Sequence, residues 1–305
     1  MKKAVYRKTE VKAGQTILVS YTYPTKFGEE LTRRKRSEGT GTPADMEEYN
    51  KILAIRRLTA ILNENFTTDD IFLTLHYEKE NRPEDEETAK YQLKVFLKKL
   101  KLLYDNKGLE LFYVKTTAIG ERGGLHHHVI IPKGAEQREV TRLWKEVIKA
   151  SHKARPPEFR ALYDTNEYSS LAAYFCQQGE KSGKEKIKNA RKWVCSRNIK
   201  RPVPQPPEDV YEIKWKEPPT PKKGYYIDTD SICAGCNPIT GKPYLFYQMI
   251  KLKSNFTCYD SGGRRLCGAE AVRYYRRTNK EYIKQNWFEL NSEGEVVFKP
   301  KVEYV

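Results

Sequence analysis

One stretch constrains this chain more than any other: Leu125-His126-His127-His128-Val129-Ile130-Ile131. Its apolar flanks read as a core strand, halted by Pro132 and Gly134. Residues 120–124 hold three glycines and read as a tight turn before it. Leu109 to Thr117 reads as the strand leading into that turn. Two adjacent strands joined so tightly must run antiparallel, because parallel neighbours need a long crossover. Apolar spacing predicts helices over 43–63, 88–104 and 136–152, and a buried strand over 71–77. In the second helix Tyr91, Val95, Phe96 or Leu97, Leu100 and Leu103 are expected to face inward. The order helix, strand, helix, hairpin, helix predicts an α+β fold, not a doubly wound sheet.

Residues i and i+2 of a strand share a face, so His126 and His128 present two imidazoles side by side and His127 looks the other way. Two neutral imidazoles on one face form a natural clamp for a divalent metal. A ligand-free surface triplet is the alternative; the apolar flanks argue against it, since buried unpaired imidazoles are costly. A second signal runs from Tyr168 to Lys181 and reads as a short helix after Asn166, ending at Gly179. Tyr174 is at its centre, with Gln177 and Gln178 on the same face. Packing into the core is the other reading of a helical tyrosine.

Charge narrows the partners. Lys plus Arg total 56 against 40 Asp plus Glu, a net charge of +16. Such a surplus attracts polyanions, and DNA or RNA leads because phosphate neutralisation supplies most non-specific affinity. No apolar run approaches the ~18 residues of a membrane span. No apolar segment follows the basic start, so a cytoplasmic location with no membrane partner is expected. The six cysteines are then expected to be reduced thiols. Residues 1–42, with Arg33-Arg34-Lys35-Arg36, read as a basic N-terminal extension. The main domain is placed at 43–201. Residues 202–221 hold seven of the sixteen prolines and read as a linker. Residues 222–305 read as a partly β C-terminal accessory region.

The histidine strand with its glycine turn, followed by a helix bearing tyrosine, resembles the HUH endonucleases. More narrowly it resembles the rolling-circle replication initiators of bacterial plasmids, phages and integrative elements. Phe72-Leu-Thr-Leu-His-Tyr77 is similar to the first strand motif of that family, and Gly120 to Ile131 to its metal motif. Trp193 to Pro202 and Asn237 to Tyr244 are similar to flanking segments, so the likeness covers roughly 45–255. It implies a central antiparallel sheet of about five strands flanked by helices. It implies Mg²⁺ or Mn²⁺ on His126 and His128, with Tyr174 as nucleophile and Tyr168 as second candidate. It also implies nicking and joining of single-stranded or hairpin origin DNA through a 5′-phosphotyrosine link. Host helicase and replication machinery are the onward partners of such an initiator.

The pattern departs at three positions. His127 replaces a bulky apolar residue. Ala118 occupies the place of an acidic third ligand, for which Glu121 in the turn is the substitute. Gln177 stands where a lysine is common, leaving Lys181 as the basic residue of that region. Backbone contacts to DNA are expected from Lys184, Lys186, Lys188, Arg191, Lys192 and Arg197, with Trp193 stacking on bases. A solvated basic helix is the alternative reading of that run. Cys233 and Cys236 have ligand spacing, but Cys258 and Cys267 are poorly spaced for a zinc ribbon, so zinc is not expected there. Two other functions share the scaffold: a DNA binder that has lost cleavage, and a plasmid-mobilisation relaxase.

Overall fold

The structure is a computed structural model, and it describes residues 5–22, 42–120, 124–162, 167–178, 193–211, 218–237, 243–285, 289–290 and 296–297. The chain starts with β1 (Val5–Ala13) and β2 (Thr16–Thr22), then α1 (Pro43–Asn65) and β3 (Ile71–His76). After a 3₁₀ turn at Lys79–Asn81 come α2 (Glu86–Asn106), β4 (Val114–Ile119), β5 (Leu125–Ile131) and α3 (Gln137–Val147). Next are β6 (Glu158–Ala161), α4 (Ser169–Gln178), β7 (Val194–Cys195) and β8 (Glu208–Tyr211). The last part holds β9 (Tyr225–Cys236), β10 (Pro243–Lys251), β11 (Thr257–Tyr259), β12 (Arg265–Cys267) and α5 (Gly268–Gln285). Two-residue strands β13 (Glu289–Leu290) and β14 (Val296–Val297) pair with each other. The chain divides into two compact units, one of residues 51–201 and one of residues 1–50 with 202–305.

The unit of residues 51–201 is α+β. Its five strands take the order β6-β3-β5-β4-β7, and every pairing is antiparallel. Residues paired across such a ladder share a face. One face carries Leu73, Leu75, Val129 and Ile131, packed with Leu93, Phe96 and Leu100 of α2 and Val140 and Trp144 of α3. The other carries Val114 and Ile130, packed with Leu58, Ile61 and Leu62 of α1 and Ala172, Phe175 and Cys176 of α4. Each such large apolar side chain contributes about 1.5–3 kcal/mol when fully buried. Asp70 fastens one end of the sheet. Its carboxylate accepts from the Thr67 N–H at 2.7 Å and the Lys133 N–H at 2.9 Å, tying the start of β3 to the segment after β5.

The helix boundaries follow from caps. Asp85 caps α2, accepting from the Thr88 N–H at 2.6 Å. Gly108, at φ +67°, ends the helix: its N–H reaches the Asp105 carbonyl at 3.0 Å, and the Leu109 N–H reaches Tyr104 at 3.0 Å. Glu136 and Glu139 form a capping box at the start of α3. That helix stops at Val147, short of the expected 152, because Lys149 turns left-handed at φ 54° and the Ala150 N–H closes back on Lys145. Tyr91 is 65% exposed, against the inward placement its spacing suggests. Leu93 is buried instead, because α2 centres its contact face on Leu93, Phe96, Leu97, Leu100 and Tyr104. The strand before the glycine turn is β4, shifted toward the turn from the expected 109–117, since Leu109 caps α2 and Leu111 is buried under it.

The second unit holds another five-stranded antiparallel sheet, ordered β8-β1-β2-β10-β9. Its core gathers Tyr6, Ile17, Val19, Ile227, Leu245, Tyr247 and Met249, with Ile283 of α5. Asn279 of α5 holds β9 by both amide atoms: its oxygen accepts from the Ile227 N–H at 3.1 Å, and its nitrogen donates to the Ile227 carbonyl at 2.9 Å. Residues 5–22, read from sequence as part of a basic arm, form a hairpin inside this sheet. The alternation of Ile17 and Val19 has meaning only against β10, more than two hundred residues away. Likewise Glu208–Tyr211, inside the proline-rich stretch, pairs with β1. Arg33 to Arg36 lie outside the described residues.

Candidate active site

The register places His76, His126 and Ala118 in one row across β3, β5 and β4, with Thr74, His128 and Thr116 in the next. These rows lie on the face that α1 and α4 cover. His126 and His128 stand with ring centroids 4.8 Å apart at 80°. His76 adds a third imidazole, 6.3 Å from the His126 ring. From β6, Glu158 lies beside Thr74 and Arg160 beside Phe72. Phe72 forms the floor: its ring stacks on His128 at 5.2 Å and 20°, and meets the Tyr174 ring edge-on at 6.2 Å.

Tyr174 reaches this cluster from α4. Its hydroxyl lies 3.0 Å from Nε2 of His128. The start of α4 is held by Asn63 of α1, whose side-chain oxygen accepts from the Tyr168 N–H at 2.9 Å. Six positions, about one and two-thirds helical turns, separate Tyr168, just before α4, from Tyr174, so they point apart. Tyr168 is 1% exposed, packed in the core, and its hydroxyl has no hydrogen-bond partner among the described residues. The structure therefore brings Tyr174 to the histidines and does not bring Tyr168.

Nδ1 of His126 lies 3.3 Å from the Gly124 carbonyl, and a carbonyl only accepts, so this nitrogen carries a proton. Nδ1 of His128 pairs with the Thr74 hydroxyl at 3.2 Å. Burial lowers the pKa of His128 to about 3, and the neighbouring His126, His76 and Arg160 push the same way. It is neutral at physiological pH. Burial also lowers His76, helped by Arg155 and opposed by Glu158, whose Oε1 is 3.4 Å from Nε2 of His76. That approach is off hydrogen-bond geometry, and Nε2 of His76 has no hydrogen-bond partner among the described residues. Burial raises the pKa of Tyr174, with Arg160 pulling it down and Glu158 pushing it up.

His127 faces the opposite side of the sheet and is fully buried. Its Nε2 pairs with the Tyr77 hydroxyl at 2.9 Å and its Nδ1 with the Thr117 hydroxyl at 2.9 Å. Burial drives its pKa to about 3, so it is a neutral core group bridging β3, β5 and β4. Trp144 of α3 donates to the His76 carbonyl at 2.9 Å and fixes the end of β3.

Two adjacent imidazoles whose Nδ1 atoms have second partners, Gly124 and Thr74, fit a divalent ion held through Nε2. Ala118 is buried directly opposite His126 and supplies no carboxylate. Among the described residues no three His, Cys, Asp or Glu side chains are arranged to hold a metal. Of the remaining expected residues, Glu121, Lys181, Lys184, Lys186, Lys188, Arg191 and Lys192 lie outside the described residues, as does the side chain of Cys236. Trp193 is half-buried against the α1/α4 core. Arg197 lies in a cleft beside α2. Cys233 approaches the Tyr244 hydroxyl at 3.9 Å, and Cys258 and Cys267 sit on paired strands β11 and β12.

His76, Glu158 and Arg160 were missed by sequence reasoning. His76 had a signal in the Phe72–Tyr77 strand. The short β6 carries no alternation that marks it as a site strand.

No helix among the described residues is long and apolar enough to cross a membrane. No curated protein and no solved structure gives a significant match to the chain. Residues 70–183 match a family model, that of the replication-associated protein ORF2. That span contains β3, β5, β6 and α4, and with them His76, His126, His128, Glu158 and Tyr174. The part of the chain that bears the site is thus similar to the replication-associated proteins of that family.

Proposed function

We propose that this protein initiates rolling-circle replication by nicking and rejoining single-stranded origin DNA, with Tyr174 as the nucleophile. The observation that carries the reading is the approach of the Tyr174 hydroxyl to His128, beside His126, on one face of the sheet. The family likeness of the site-bearing span supports a role in replication initiation.

His126 and His128 would hold a divalent ion, Mg²⁺ or Mn²⁺, through Nε2; imidazole ligands favour Mn²⁺. When bound, such an ion polarises a phosphate oxygen and offsets charge developing in the transition state. The chain's own residues do the rest. Phe72 positions the phenol, packing edge-on against the Tyr174 ring. A phenol of raised pKa needs a proton acceptor or a nearby cation to attack at neutral pH. Arg160 supplies positive charge on that side. Attack by the phenolate oxygen on phosphorus forms the Tyr174–phosphate bond and breaks the bond to the 3′ oxygen, which leaves as a free 3′-OH after taking a proton. The link conserves bond energy, so rejoining needs no nucleotide cofactor, and the 3′-OH primes synthesis.

The test is a denaturing gel. Wild type with labelled origin single strands and Mn²⁺ should give a detergent-stable adduct, and Tyr174→Phe should give none. DNA binding without any adduct would remove the nuclease reading.

One observation favours a second reading. The methyl of Ala118 opposite His126, where a third ligand is expected, fits a DNA-binding protein that has lost cleavage. A relaxase is a variant of the first reading, separated by testing transfer-origin against replication-origin strands.

A further inference from the structure

The opposite side of the site-bearing unit holds a cleft of about 580 Å³ between α2, β4 and the segment around Arg197. Five cations line it, Lys94, Lys98, Lys101, Lys115 and Arg197, against two carboxylates. Both carboxylates are engaged within the wall. Asp105 accepts from Lys101 at 2.6 Å, and Glu110 accepts from Asn198 at 2.8 Å. Lys94, Lys98, Lys115 and Arg197 have no ion-pair partner among the described residues.

Lys94, Lys98 and Lys101 follow i, i+4, i+7 spacing and so share one side of α2. Lys115 comes up from the sheet floor, paired in register with Val129 and therefore on the face away from His126 and His128. It is half-buried, and burial lowers its pKa. A desolvated ammonium without a carboxylate is costly unless an anion covers it. Between the cations lie Tyr113 and the apolar edges of Leu97 and Leu111. A positive groove with an aromatic wall suits a single nucleic-acid strand, where phosphates meet cations and bases stack.

We propose that this cleft is a second DNA-binding site, taking the phosphodiester backbone of a single strand on the sheet face opposite the histidines. The inference rests on the reading of the partner as DNA, and it does not depend on cleavage.

The experiment uses the full chain without divalent metal. Fluorescence anisotropy follows a labelled single strand, and a duplex of the same sequence, across a salt series. The variants are Lys94→Gln/Lys98→Gln, Arg197→Gln, and Lys12→Gln/Lys223→Gln in the other unit as a control for charge loss. The exposed α2 lysines are replaced without touching the core, and matching melting curves verify folding. The double α2 variant should bind the single strand roughly tenfold more weakly at ~0.1 M salt, with a salt slope shallower by about 1.4, from two lost contacts at ~0.7 each. Arg197→Gln should lose about half of that slope change. Equal affinity and slope for wild type and both cleft variants would overturn the proposal. So would an equal loss in the control, which reports net charge, or a loss confined to the duplex. Wild type that binds neither DNA removes the DNA reading and the cleft together. Wild type that binds here but gives no adduct in the Mn²⁺ gel assay removes only the nuclease.

Discussion

The Tyr174 hydroxyl and Nε2 of His128 lie 3.0 Å apart, although forty-six residues separate them in sequence. The contact is built from two sides: Thr74 holds the far nitrogen of the imidazole, and Phe72 packs beneath both rings. A phenol, two imidazoles and an arginine thus converge at one end of an antiparallel sheet.

Tyr174 in α4 and Tyr168 just before it should behave differently. Tyr174→Phe is expected to abolish covalent adduct with DNA while leaving folding intact, since the hydroxyl is at the edge of the core. Tyr168→Phe should leave adduct formation unchanged. Its hydroxyl is buried without a partner, so stability should hold or rise by up to ~1 kcal/mol. Adduct yield on denaturing gels and urea unfolding separate the two outcomes.

Metal binding should be visible without activity. Mn²⁺ at about a hundredfold its dissociation constant should stabilise the folded protein by roughly 2.7 kcal/mol and raise its melting temperature. His126→Ala or His128→Ala should remove most of that rise, measured as the difference between each variant with and without Mn²⁺. His76→Ala should reduce it if the third imidazole swings toward the pair on loading.

His127 should act as a structural group. His127→Leu leaves the Tyr77 and Thr117 hydroxyls without their shared partner in the core, at about 1–3 kcal/mol for each group left unsatisfied. Urea unfolding should show the loss. His127→Gln should recover part of it by offering polar atoms to the same hydroxyls.

Asn63 should position the nucleophile from a distance. Asn63→Ala removes the acceptor for the Tyr168 N–H at the start of α4. The expected cost is ~1 kcal/mol, as for a lost helix cap. Adduct formation should slow more than DNA binding weakens, because α4 carries Tyr174. Single-turnover rates at saturating DNA give the comparison.

Much of this was legible in the chain itself. The period-two pattern fixed His126 and His128 on one face and His127 on the other, since side chains alternate along any strand. The three-glycine turn fixed antiparallel pairing. Those are local rules that need only neighbouring residues. Distant pairing was not legible. His76 joins the site because β3 aligns with β5 in a register set by the whole sheet, and Glu158 and Arg160 because the short β6 adds at its edge. The hairpin at 5–22 shows the same limit, because β2 becomes an interior strand only when β10 pairs along it. Local sequence determines which way a side chain points; only the closed sheet decides what it meets, because burial and pairing are settled between segments that the chain keeps far apart.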